Sequence, residues 1–167
     1  MCSSDLISWR VLGDYTQALA AAEEAVRLAE QQVRDEALTA LAIAGRAELH
    51  LLQGDADLAA AELALAGAGY ERLQHPVGLA EVWRLQAGVA RARADLPGAI
   101  ALLSRAAALA RGQGSAHTLA EIERDLGAAL EASGDRAGAR AARERAVDLY
   151  RRLGATEATR EIAALIT

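Results

Sequence analysis

Three histidines, one cysteine and a surplus of carboxylates are the first residues to weigh for chemistry in this chain of 167 residues. His50, His75 and His117 are isolated from one another. No His-x-x-x-His pair, nucleophile elbow or phosphate-binding glycine loop is present, so neither a metal ligand set nor an activated nucleophile can be assembled locally. His50 falls near the end of a predicted helix, in a packing position. His75 and His117 fall at helix boundaries, where a polar side chain needs no special role. The serines have no neighbouring His or Asp that would activate them. No catalytic residue, cofactor or metal is expected, and the chain reads as non-enzymatic.

Composition bounds the function further. All 18 basic residues are Arg against 23 Asp and Glu, a net charge of −5, which disfavours nucleic acid or an anionic membrane surface as a partner. No apolar run reaches the length of a membrane span. Lys, Asn and Phe are absent while Ala, Arg and Gly abound, as expected of a high-GC, bacterial gene. Cys2 and Met1 lie in the opening Met-Cys-Ser-Ser-Asp-Leu. Back-translated, that hexapeptide matches the end of a common sequencing adapter, so residues 1–6 are expected to be an artefact and the natural N-terminus to be missing. A cytoplasmic location is expected, with the missing start leaving a leader peptide open.

The elements that would position any site announce themselves by a repeat. Gly13-Asp14, Gly54-Asp55, Ala94-Asp95 and Gly134-Asp135 follow one another at steps of 41, 40 and 40 residues. Ala18, Ala59, Ala99 and Ala139 keep step, as do Ala25, Ala66, Ala106 and Ala146. A fixed period of this size marks a repeat array. Gly ends a helix in the left-handed conformation, and an Asp side chain caps the next helix. Corners are therefore expected at Gly13, Gly54, Ala94 and Gly134. The helices read as 15–33 with 36–52, 56–73 with 77–93, 96–111 with 116–132, and 136–153 with a shorter capping helix, 156–166. The two Ala columns, seven residues apart, share a helix face and admit a partner helix closely. Gly67 and Gly69 soften their helix or let a neighbour approach closer still. Arg136, Arg140 and Arg143 share a face interleaved with Glu144 and Asp148, and read as a solvated charged surface.

With its Gly-Asp corner and small residues at these offsets, the helix pair resembles the tetratricopeptide repeat. Trp83 and Ile43 match the large-residue slot of the first helix, Leu126-Gly127 its Leu-small pair, and Ala47 and Ala87 its small slot. The period of 40 resembles the longer repeats of MalT-like and AfsR-like bacterial regulators. The resemblance covers residues 7–167 and implies an all-α, right-handed solenoid of antiparallel helix pairs. It also implies a concave groove, lined by the first helices, that holds a protein or peptide. Carried over, the groove residues are Glu48 and Leu51, then Glu81, Arg84, Gly88 and Arg91, then Glu121, Arg124, Ala128 and Glu131. Arg84 and Arg124 are expected to serve a partner without supporting the fold. A chaperone-tail clamp is not implied, because it needs Lys and Asn. The expected function is a protein-interaction scaffold within a larger regulatory or signalling protein. The alternative is an effector-sensing domain of a transcription regulator that binds a small ligand or peptide. Self-association is expected through an uncapped apolar end around Trp9.

Overall fold

A computed structural model describes the backbone of residues 3–166, with the side chains of Tyr15 and residues 17–166. Cys2 and the Trp9 side chain, with the apolar end expected there, lie outside the described residues. Every element among those residues is helical: α1 (Ser3–Leu28), continued by a π-helical turn (Ala29–Val33), α2 (Glu36–Gln53), α3 (Ala56–Arg72), α4 (Pro76–Ala92), α5 (Leu96–Gly112), α6 (Ala116–Ala132), α7 (Arg136–Arg152) and α8 (Thr156–Ala164). The chain forms two compact units, Met1–Leu73 with α1 to α3 and Gln74–Thr167 with α4 to α8. In the first unit α2 packs on both α1 and α3. In the second each helix packs on the next, and α6 also packs on α4.

The backbone beats at half the sequence period. Arg34, Gly54, Gln74, Ala94, Gly114, Gly134 and Gly154 all have positive φ, from 50° to 89°. They stand twenty residues apart, each just before a helix. At the Gly54 corner, the Gly54 amide donates to the Leu51 carbonyl at 3.0 Å and the Asp55 amide to the His50 carbonyl at 2.9 Å. The same pair of bonds recurs at Ala94, Gly114, Gly134 and Gly154. This is a Schellman ending, and it satisfies the last carbonyls of the outgoing helix. At Asp55, Asp95 and Asp135 the residue that completes it also caps the incoming helix. Asp35, Asp55, Asp95 and Asp135 accept amide hydrogens of the next first turn. His75 does the same through Nδ1, which accepts from the Gly78 amide at 2.9 Å. One residue thus closes one helix and opens another, which is why the corners are so short.

Gly98 and Gly138 are required by this geometry. A Cβ there would stand 2.1 and 2.3 Å from the capping carboxylates of Asp95 and Asp135. With no Cβ in the way, their amides reach the carboxylates at 2.9 Å. At the equivalent place Leu58 makes a longer bond of 3.1 Å to Asp55.

The expected corner at Gly13 is not formed: α1 runs through Gly13-Asp14 without a break. Opening a helix there would break its hydrogen-bond ladder, and that loss is offset at the other corners by an outgoing helix closing on the next. The Ala columns follow suit. Ala59, Ala99, Ala139, Ala66, Ala106 and Ala146 are all fully buried, whereas Ala25 is exposed and Ala18 half-buried. The inward face is instead marked by Val26 of α1 and Ala29 of the π-helical turn.

Small residues set how closely the helices pack. A Cβ on Gly69 of α3 would meet the Ala40 Cβ of α2 at 3.3 Å. One on Gly127 of α6 would meet Arg143 Cγ of α7 at 2.9 Å and the Ala139 carbonyl oxygen at 3.3 Å. Close approach is therefore the role of Gly69. The second unit's core combines Ala80, Ala99, Leu103, Ala106, Ile122 and Leu126. Ile162 of α8 joins Val147 and Tyr150 in a smaller cluster, in the column of Val82 and Ile122, both fully buried.

Candidate functional site

The expected groove residues fall in both units. Glu48 and Leu51 are half-buried on α2 in the first. The other eight lie on α4 and α6 in the second. Glu81 and Arg84 are three residues apart on α4, hence on one face; Glu121 and Arg124 repeat them one period later on α6. Because α4 packs on α6, the two pairs are brought together.

Asp125 joins them. Arg84 donates from Nε to Glu81 at 3.0 Å and from Nη1 to Asp125 at 2.9 Å. Arg124 pairs with Glu121 and with Asp125, each at 2.9 Å. The Tyr150 hydroxyl on α7 donates to Glu121 at 2.6 Å. The result is a chain of charges, Glu81–Arg84–Asp125–Arg124–Glu121–Tyr150, that clasps α4, α6 and α7.

The electrostatics follow from burial and pairing. Burial alone would weaken the charge on Arg84, but hydrogen bonds and Coulomb attraction from Glu81 and Asp125 more than reverse this and hold it protonated above its ordinary range. Arg124 shows the same balance, with Asp125 and Glu121 outweighing desolvation. Burial pushes the Tyr150 hydroxyl well above the usual phenol range, and its bond to Glu121 adds to the shift.

This arrangement corrects one expectation. Arg84 is only 8 % exposed and is consumed by the clasp, so it supports the fold rather than standing free for a partner. Its column partner Arg124 remains 38 % exposed. Arg91 is exposed at the end of α4. Glu131, at the end of α6, bonds Arg143 of α7 at 3.0 Å. Gly88 and Ala128 are half-buried between them. Of the arginines read as a solvated face, Arg140 pairs with Glu144 at 2.9 Å, as that reading implies. Arg143 instead turns inward, with a side chain 13 % exposed.

A second cluster was not foreseen. Glu123 of α6 is 1 % exposed. Its two oxygens accept from Arg111 of α5 at 3.1 Å and Arg145 of α7 at 2.8 Å. Hydrogen bonding to Glu123 holds the Arg145 guanidinium above its ordinary range. These three residues line a cleft of about 200 Å³ with Leu119, Asp148, Leu149 and Arg152. The signal lay in the column of Ile43 and Trp83, where Glu123 puts a carboxylate into a large apolar slot. One period earlier, the places of Glu123 and Arg145 are held by Trp83 and Arg105, whose guanidinium stacks 4.4 Å above the indole.

Of the histidines, His75 is a helix cap. His50 has Nε2 3.9 Å from Glu62, whose other partner is Arg46 at 2.7 Å. Among the described residues no three His, Cys, Asp or Glu side chains could share a metal ion, and no helix is long and apolar enough to cross a membrane.

No family model matches the chain, and no curated protein does. Among solved structures, the crystal structure of BtubC (BKLC) from P. vanneervenii is similar, with a TM-score of 0.71 at 18% identity. The match covers 89% of this chain and 62% of that one, so the chain spans under two thirds of its neighbour's length. At this identity the likeness is one of fold.

Proposed function

We propose that this chain is a non-catalytic protein-binding scaffold, a right-handed array of helix pairs of the tetratricopeptide kind within a larger bacterial regulatory or signalling protein. The reading is supported by the regular corners, the all-helical pairs and the likeness of fold to BtubC. The observation that carries it is the shared face of α4 and α6. There a clasp of six residues, Arg124 among them, fixes the charged side chains in place, and Arg91 stands exposed at its margin. A guanidinium on such a face can take a partner carboxylate in bidentate fashion.

The reading is tested by using the chain as bait in a lysate of its source bacterium, beside Arg91→Glu. A protein retained by the wild type and lost with the variant, at unchanged melting temperature, supports it. Equal retention by both removes the α4–α6 face. Stabilisation of the chain by a small metabolite, with no retained protein, would favour the sensor instead.

A further inference from the structure

We infer that the cleft among α5, α6 and α7 is a binding site for a phosphomonoester, separate from the α4–α6 face. Its base is built. Glu123 is buried, and each of its oxygens holds one guanidinium, Arg111 at 3.1 Å and Arg145 at 2.8 Å. Each contact is made through a single Nη2, so neither fork is used up. Both arginine side chains remain about half exposed, at 58% and 48%. Arg152 lines the same cleft, is exposed, and has no carboxylate partner among the described residues.

Charge decides the class of ligand. Three lining arginines, Arg111, Arg145 and Arg152, stand against Glu123 and Asp148, and Asp148 is itself offset by Arg151, outside the lining, at 3.1 Å. Arg111 and Arg152 sit in the last turns of α5 and α7, whose carbonyl ends each contribute roughly half a negative charge. A net positive charge survives, on a chain whose total is −5. Three guanidinium groups around about 200 Å³ offer more donors than the two oxygens of a carboxylate can accept, and match a phosphate. Leu119 and Leu149 complete the wall and suit an ester with an apolar stem.

The repeat itself supports a specialised site. In the preceding period Arg105 stacks on Trp83 in the columns of Arg145 and Glu123, and Glu71 stands in the column of Arg111, so the three-residue cluster is not repeated. The substitution of Glu for the large apolar residue at 123 is what gathers Arg111 and Arg145.

The test is a titration of the full chain at low ionic strength, followed by phosphorus NMR and calorimetry. The probes are inorganic phosphate, phenyl phosphate and phosphoserine amide, with acetate as the carboxylate control. We expect saturable binding of a phosphate probe, weakened about tenfold by Arg152→Ala and unchanged by Arg136→Ala, an exposed arginine elsewhere on α7. Phenyl phosphate binding tightest indicates a free small ester; phosphoserine amide binding tightest indicates a phosphorylated partner; inorganic phosphate binding as tightly as either ester would overturn the ester assignment. No saturable response, equal weakening by both variants, or acetate binding as tightly as phosphate would overturn the site. Both substitutions remove exposed side chains, so unchanged melting temperatures keep the comparison valid.

Discussion

Arg84 on α4 and Asp125 on α6 meet at 2.9 Å across the packed pair of helices. The guanidinium is almost out of water, and its other edge lies against Glu81. A position that column logic assigns to partner contact is therefore one of the ties between successive first helices. Breaking a buried ion pair from one side strands the remaining charges and costs about 3–5 kcal/mol. Arg84→Ala should lie near the lower end, because Asp125 keeps Arg124. Urea unfolding measures it; a loss under ~1 kcal/mol would show that the clasp is ornamental.

Tyr150 makes the clasp alkaline-sensitive. Its hydroxyl titrates higher in the folded chain than in the unfolded one. The stabilisation is thus complete below the ordinary phenol pKa of about 10 and is lost as pH rises through the folded value. Stability should fall on raising pH above ~10, and Tyr150→Phe should flatten that fall. At neutral pH the same change removes a bond to a carboxylate worth about 1.5–3 kcal/mol. An identical alkaline limb in the variant would assign the loss to other groups.

Corner residues offer the opposite sign of effect. Ala94 holds φ of 60°, a conformation that strains any residue with a Cβ. Ala94→Gly should stabilise the chain by about 1 kcal/mol, read as a rise in melting temperature. Gly134→Ala should lose a similar amount, since Gly134 has φ of 89°. The missing side-chain cap at Ser115 predicts that Ser115→Asp gains roughly 0.5–1 kcal/mol.

Packing at Gly69 depends on size. Alanine gains helix propensity of up to about 1 kcal/mol but meets Ala40 at 3.3 Å, so Gly69→Ala should be close to neutral. Gly69→Leu has no room and should cost on the order of 2 kcal/mol or more. Equal stability of the two variants would mean that α2 and α3 do not pack as closely as described.

Much of the fold is legible because its determinants are local. Gly-Asp pairs, the Pro at 76 and 97 and the Ala columns place the boundaries of α2 to α8 to within a residue or two. The failure at Gly13-Asp14 is instructive: the dipeptide permits a corner but does not compel one, and α1 keeps its hydrogen-bond ladder through it. The half-period of twenty was hidden because Arg34 and Gln74 occupy left-handed positions that composition assigns to Gly. The ionic clasp was half visible, as Glu81/Arg84 and Glu121/Arg124 share a column. Asp125 has no column counterpart of its kind, Tyr150 has one only two periods away at Tyr70, and only the packing of α4, α6 and α7 reveals that the two join the clasp. Glu123 could have been found as a carboxylate in the slot of Ile43 and Trp83; its arginines come from two other helices and could not.

The central claim is that the α4–α6 face binds a protein partner through the charges left open beside the clasp. Its most direct measurement is a binding titration of the captured partner against the wild type, Arg91→Glu and Arg136→Glu. At least tenfold weaker binding is expected for Arg91→Glu, with wild-type binding for Arg136→Glu and native melting for both. Undiminished binding by Arg91→Glu would contradict it.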